Sequence, residues 1–227
     1  MLTSEELEIL GVSFGIALRA LLFALPFAVA LAALLARRSF RGKTLLDALA
    51  HLPLALPPVL IGFLMLLALG RRAPLGHWLA SVGVHLPFTA MGAALATAVM
   101  ILPLFVRAIR LAMEAIDPGL VAAAAALRAR PLDRFFSVIL PLSAPGVLAG
   151  VATAFAAALG EFGAVITFAG NIPGETQTLP LAIYSALQSA NGDAIAVRLA
   201  WISFTCALAG LAAAEALNAV ARRQREA

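Results

Sequence analysis

Four stretches of this chain, 12–36, 89–108, 145–169 and 195–219, are predominantly apolar for the length of a bilayer crossing. A hydrocarbon core of about 30 Å needs about 20 helical residues, so each stretch predicts a spanning helix. A fifth block, 45–69, is as apolar but contains Pro53, Pro57 and Pro58. A helix that started only at Pro58 would rise ~18 Å, too little to cross, so the prolines belong at membrane depth, where neighbouring helices satisfy the carbonyls they free. This block predicts a kinked or broken second span. The polar positions concentrate between blocks, above all in 117–146, DPGLVAAAAALRARPLDRFFSVILPLSAPG, which reads as a short basic helix-turn-helix between two long apolar spans. Asp117 is placed to cap a helix whose first position is Pro118. That helix is expected to end at about Arg130, because Pro131 disfavours helical geometry in the residue before it, and Pro131 then restarts a second helix. The five alanines 122–126 form a low ridge suited to a groove on another protein.

Composition agrees with the pattern. Of 227 residues, 63% are hydrophobic and only 12% charged, and the mean hydropathy is +1.00. That balance excludes an ordinary soluble protein and predicts an all-α integral membrane protein, with 1–227 as a single transmembrane domain. The one cysteine, Cys206, lies in an apolar span, so an intrachain disulfide is impossible and redox chemistry is not expected. The start, MLTSEELEIL, carries acidic residues where a secretory signal carries basic ones, so the first span is expected to be retained. The net charge of +4 does not call for nucleic acid, because the basic residues flank apolar spans, where topology accounts for them.

Those residues also predict orientation. With the N-terminus outside, the inner segments hold Arg37, Arg38, Arg41 and Lys43, then Arg107, Arg110, Arg128, Arg130 and Arg134, then Arg222, Arg223 and Arg225. The outer segments keep only Arg71, Arg72 and Arg198, and Arg19 lies within the first span. The positive-inside rule therefore places 117–146 and the C-terminus in the cytoplasm and 170–194 outside.

A transporter needs an energy source, and this sequence offers none. It has no GxxxxGK[ST] phosphate loop. An ion-coupled carrier is expected to place several ionisable residues at depth, whereas these spans hold chiefly Arg19, Glu161 and Glu215. No Ser-His-Asp arrangement or paired carboxylate points to catalysis, and His51, His77 and His85 lack metal-ligand spacing. The energy is expected to come from another polypeptide. Five spans are few to enclose a gated path, which favours a homodimer with its twofold axis along the pathway.

Ala122-Ala123-Ala124, then Arg128, then Val138-Ile139-Leu140-Pro141 resemble the EAA loop of permease subunits from type I ATP-binding-cassette importers. Two signature positions differ: the acidic one is Ala122 and the turn glycine is Arg128. An arginine there either continues the helix or takes a positive φ at roughly 1–2 kcal/mol, unless Pro131 sets the break. A second segment, Gly160-Glu161-Phe162-Gly163 through NIPGETQTLP ending at Pro180, is similar to the permeases of molybdate importers. HLPLALPPV from His51 and MILPLFVRAIRLAMEAID from Met100 also fit that family; sulfate permeases share part of the pattern. The resemblance implies a homodimer bound to two ATPase subunits inside, an oxyanion-binding protein outside and lipid around it. Cofactors in the chain itself would be none, with ATP and Mg on the ATPases. It implies that Asp117, Pro118, Ala122, Ala123, Ala124, Leu127, Arg128 and Pro131 couple to the ATPase. Tungstate or sulfate as cargo is the alternative within the family, and an autonomous channel or secondary carrier is the alternative outside it.

Several residues are candidates for the path itself. Glu161, sixteen residues beyond Pro145, is expected ~24 Å up a continuing helix, and Arg19 at ~10 Å from the opposite end of its own, so the two are placed to pair and gate. A structural ion pair or a snorkelling arginine is the plainer reading. Hydroxyls and amides suit a dianion better than a carboxylate, which selects Thr167 and Asn171 for direct contact. Thr176, Thr178, Tyr184 and Gln188 lie on the outer segment expected to dock the binding protein. Gly146 and Gly150 form a GxxxG that predicts close helix packing, within a dimer or beside the pore.

Overall fold

The computed structural model describes residues 2–37 and 39–226, without the side chains of 213–215 and 217–226. Arg38, Glu215, Arg222, Arg223 and Arg225, which entered the sequence argument, lie outside the residues so described. Among the described residues the chain is helical and contains no strand.

The first helix, α1 (Ser4–Arg37), begins two turns before the apolar block. Thr3 and Glu6 explain the early start. The Glu6 N–H donates to Thr3 Oγ1 at 3.2 Å and the Thr3 N–H donates to Glu6 Oε2 at 2.7 Å, a reciprocal capping box. Next come α2 (Lys43–Ala55) and α3 (Pro58–Leu69), whose axes differ by 111°. The second apolar block is therefore broken. Leu56 and Pro57, each preceding a proline, are extended, with ψ of 147° and 132°. A short helix that the pattern did not suggest, α4 (Pro74–Ser81), leads to α5 (Ala90–Glu114), capped by the Thr89 hydroxyl accepting from the Gly92 N–H at 3.1 Å.

The basic segment forms α6 (Pro118–Ala126) and α7 (Pro131–Arg134). A π-helical turn, Phe135–Ile139, joins α7 to α8 (Leu140–Leu159), giving one spanning run from Pro131 to Leu159. The wide turn stands directly before Pro141, whose missing N–H cannot serve the preceding turn. The fourth span thus begins and ends earlier than the predicted 145–169. Beyond it lie α9 (Gly163–Phe168), α10 (Leu179–Leu187) and α11 (Asp193–Glu226). Among the described residues four helices are long and apolar enough to cross a membrane, and the broken α2–α3 pair, taken as one span, brings the number to five.

The centre of the bundle is α1 against α5 and α5 against α8, with α11 on the outside of α8. Along α1 the buried face is Ala17, Ala20, Ala24, Ala28 and Ala32, spaced three or four apart, and it receives the larger Ile101, Phe105 and Ile109 of α5. In lipid no hydrophobic force drives helices together, so such close fitting of small against large is what holds them. Gly146 and Gly150 extend the same logic. A Cβ at Gly146 would stand 2.2 Å from that of Ala112, and one at Gly150 would stand 3.1 Å from that of Ala108. The GxxxG therefore seats α8 on α5 within one chain.

The end opposite α6 is tied by polar bonds. Ser13 Oγ accepts from the Leu179 N–H at 2.8 Å while donating to the Ile9 carbonyl, linking α1 to the start of α10. Arg198 reaches Glu6 with both Nε and Nη2, at 2.5 and 2.9 Å, and so fastens α11 to α1.

Candidate functional site

Two regions concentrate the polar and irregular features, one at each end of the bundle. The first is α6 with its turn. Asp117 Oδ1 accepts from the Gly119 N–H at 2.8 Å, the cap the sequence predicts. The helix stops at Ala126, four residues short of the expected Arg130, because Arg128 adopts φ 60°. The Arg128 N–H donates to the Ala125 carbonyl at 3.0 Å and the Ala129 N–H to the Ala124 carbonyl at 3.1 Å. This pair of bonds is a Schellman ending with arginine at the position glycine usually holds. Pro131 does not set the break; it only starts α7, where the Asp133 carboxylate accepts from the Arg130 N–H. No residue of α6 is buried against its own chain, and Leu127 beside the turn is 84% exposed. Of the alanine ridge, Ala122, Ala123, Ala125 and Ala126 are exposed and Ala124 is half-buried.

The second region joins the two broken spans. Pro58, at the start of α3, lies against Gly163, at the start of α9. A Cβ at Gly163 would come within 2.7 Å of the Pro58 Cβ, and one at Gly62 within 2.6 Å of the Ala164 carbonyl oxygen. The proline-rich motif and the GEFG motif, a hundred residues apart, are two halves of one packing contact. Glu161 stands in the break between α8 and α9, not on a continuing helix as expected. Its Oε1 accepts from the Ala164 N–H at 2.9 Å, so the carboxylate caps α9. Arg19 does not pair with it. The ion pairs among the described residues are Arg110 with Asp47 and Glu114, His51 with Asp47, and Arg198 with Glu6.

Arg19 instead is exposed and lines a cavity of about 340 Å3 with Glu8, Gly11, Gly15 and Glu175. A Cβ at Gly11 or Gly15 would meet nothing within 4 Å, so these two glycines open the α1 face above the guanidinium. The hydroxyl and amide candidates are committed elsewhere. Thr167 Oγ1 donates to the Gly163 carbonyl of its own helix, and Asn171 Nδ2 donates to Ser185 Oγ. Thr167 thus has no free donor for an anion, whereas Asn171 keeps a second amide N–H.

The outer segment divides. Thr176 and Thr178 are buried, at 0% and 5% exposure, and so do not form a docking surface. Thr176 braces its loop, accepting from the Ile172 N–H and donating to the Gly170 carbonyl. Tyr184 and Gln188 are exposed on the far side of α10, and the Tyr184 ring lies 5.3 Å from that of Phe162. Ser13, Gly62 and the Glu6–Arg198 pair, which organise this end, were not singled out from the sequence. Only the Thr3-x-x-Glu6 spacing signalled any of them.

The model of the binding-protein-dependent transport system inner membrane component family matches residues 24–224. The chain belongs to this family. Among its relatives, the molybdenum transport system permease protein ModB of Escherichia coli (strain K12) is 46% identical to this permease over 225 residues, covering 99% of this chain and 98% of the relative. The sulfate transport system permease protein CysT of the same organism is 39% identical over 162 residues, covering 71% of this chain and 58% of that protein. A chain from the crystal structure of a bacterial ABC transporter involved in the import of the acidic polysaccharide alginate shares the fold. Its TM-score is 0.69 at 15% identity, covering 98% of this permease and 80% of that chain.

Proposed function

We propose that this permease carries molybdate inward as the membrane subunit of an ATP-driven importer, the identity with the molybdenum permease across nearly the whole chain being the observation that carries the reading. The sulfate relative supports an oxyanion path but matches a shorter part of the chain. In this reading two copies form the pathway, with the N-terminus and α10 outside and α6 in the cytoplasm. The largely exposed alanine ridge and left-handed turn of α6 fit a groove on an ATPase subunit, which holds the ATP and Mg and performs the hydrolysis. This chain itself has no catalytic role. Tyr184 and Gln188 are left as the candidates that meet an oxyanion-binding protein. Arg19, in its open cavity, is the residue suited to meet a dianion, and Glu161 acts on the path by holding the α8–α9 break.

Vesicles containing this chain, its ATPase and its binding protein test the reading. Labelled molybdate uptake is expected to require all three proteins and internal ATP. Arg19→Glu is expected to lower uptake at least tenfold while the complex still assembles. Uptake by this chain alone without ATP would establish an autonomous carrier instead, and preference for sulfate over molybdate with a matched binding protein would move the assignment to that oxyanion.

A further inference from the structure

The end that carries α6 holds a larger pocket, of about 760 Å3, to which the transport reading assigns no ligand. Its walls come from α1, α6 and the run from α7 into α8. Two guanidinium groups enter it, those of Arg37 and Arg134, and the Nε of each is buried without a hydrogen-bond partner. Arg37 Nη2 donates to the Met113 carbonyl at 2.7 Å, closing the end of α5. Among the described residues neither arginine forms an ion pair with a carboxylate. Two guanidinium groups that line one space, each with N–H donors left unused and no carboxylate beside it, select an anion.

The order of residues with depth identifies what carries that anion. On α1 the wall runs from Ala33 and Leu34 to Arg37; on the other side it runs from Ile139 through Phe135 to Arg134, with Leu132 and Pro131 at its edge. Both walls change from apolar to cationic in the same direction, towards the ends of the spans. The run from Pro131 to Leu159 has 29 residues, or ~44 Å of helix against a hydrocarbon core of about 30 Å, which leaves its first turn at headgroup level. Leu132 and Phe136, beside Arg134, are 70% and 61% exposed. A free oxyanion has use for the cationic rim alone, whereas the apolar wall beneath it fits a hydrocarbon chain. We propose that this pocket binds an anionic phospholipid, with its phosphodiester between Arg37 and Arg134 and the upper part of an acyl chain against Leu34, Val121 and Ile139. Because Pro118 and Ala122 also line the pocket, the lipid sits directly beneath α6.

Thermal unfolding of the purified full-length chain in neutral detergent tests this, with phosphatidylglycerol, phosphatidylcholine or inorganic phosphate added. Phosphatidylglycerol is expected to raise the midpoint clearly more than phosphatidylcholine, and phosphate to leave it unchanged. The preference for phosphatidylglycerol is expected to fall by at least half in Arg37→Gln/Arg134→Gln and to survive in Arg37→Lys/Arg134→Lys. Equal responses of the wild type to the two lipids would overturn the proposal, as would full preference retained by the glutamine variant. A phosphate effect equal to that of phosphatidylglycerol would replace the lipid by a free oxyanion. If the double glutamine variant does not fold, native mass spectrometry of the wild type and Arg134→Gln decides: the proposal stands if bound phosphatidylglycerol is retained by the first and depleted in the second, and falls otherwise.

Discussion

Arg128 shows what a single side chain contributes when the backbone dictates the conformation. The Schellman bonds at the end of α6 need a left-handed residue, and holding an arginine there costs roughly 1–2 kcal/mol. Replacing it with glycine removes that strain but loses about 0.4–1 kcal/mol to the greater freedom of the unfolded chain. Arg128→Gly is therefore expected to leave stability unchanged or raised by up to ~1.6 kcal/mol, with association to the ATPase retained. Arg128→Val, β-branched in the same conformation, is expected to lower both, and thermal unfolding with co-purification measures the pair. The sequence exposed the choice between a continued helix and a positive φ but not its outcome. Pro131 offered an equally local reason to stop the helix, and only the carbonyl partners of residues 128 and 129 decide between them. Glu161 is the converse case. An acidic residue in an apolar stretch draws attention as a charge in need of a counter-charge, yet its partner is the backbone N–H three residues on.

Among the elements, whole spans were legible because twenty apolar residues leave a helix little choice in lipid, and the break at Pro57 and Pro58 followed from proline's geometry. The break before α9 was hidden. Nothing in Gly160-Glu161-Phe162 forbids a helix, and what interrupts it is the seat that α9 takes on α3. That contact gives a sharp expectation. Gly62→Ala and Gly163→Ala each push a methyl into neighbouring atoms, the carbonyl oxygen of Ala164 and the ring of Pro58, and each is expected to destabilise by roughly 1–3 kcal/mol. Gly11→Ala and Gly15→Ala, whose added methyls meet nothing, are expected to fold as the wild type does. Thermal unfolding of the four variants separates the classes, and a stable Gly163→Ala would refute the interlock. Burial of Thr176 and Thr178 was likewise out of reach of the sequence, since a polar loop rich in Asn, Gly and Thr reads as surface until its own internal hydrogen bonds are seen.

For the molecule as a whole, the presence and order of the spans were legible in the sequence, but the ties that hold them together were not. Glu6 and Arg198 stand 192 positions apart and join the first and last spanning helices through a bidentate pair. With Arg198 half exposed, solvent screens the pair, and breaking it is expected to have only a small effect. Glu6→Gln should therefore lower the unfolding midpoint only slightly and leave the assembled complex intact. Arg37 closes α5 at the other end of the same bundle, so α1 is fixed to its neighbours at both of its termini.

Because no residue of α6 is fully buried and only Val121 leans on the core, it hangs like a stirrup from two straps, one running into α5 and the other through the π-helical turn into α8. Those straps are sewn together where Gly146 and Gly150 meet Ala112 and Ala108. A tug on the stirrup cannot stretch one strap past the other; it swings the sewn pair as a single piece. Spin labels on the exposed sides of α5 and α8 are thus expected to keep one separation throughout the transport cycle. A separation that varied with nucleotide would mean that the seam slips.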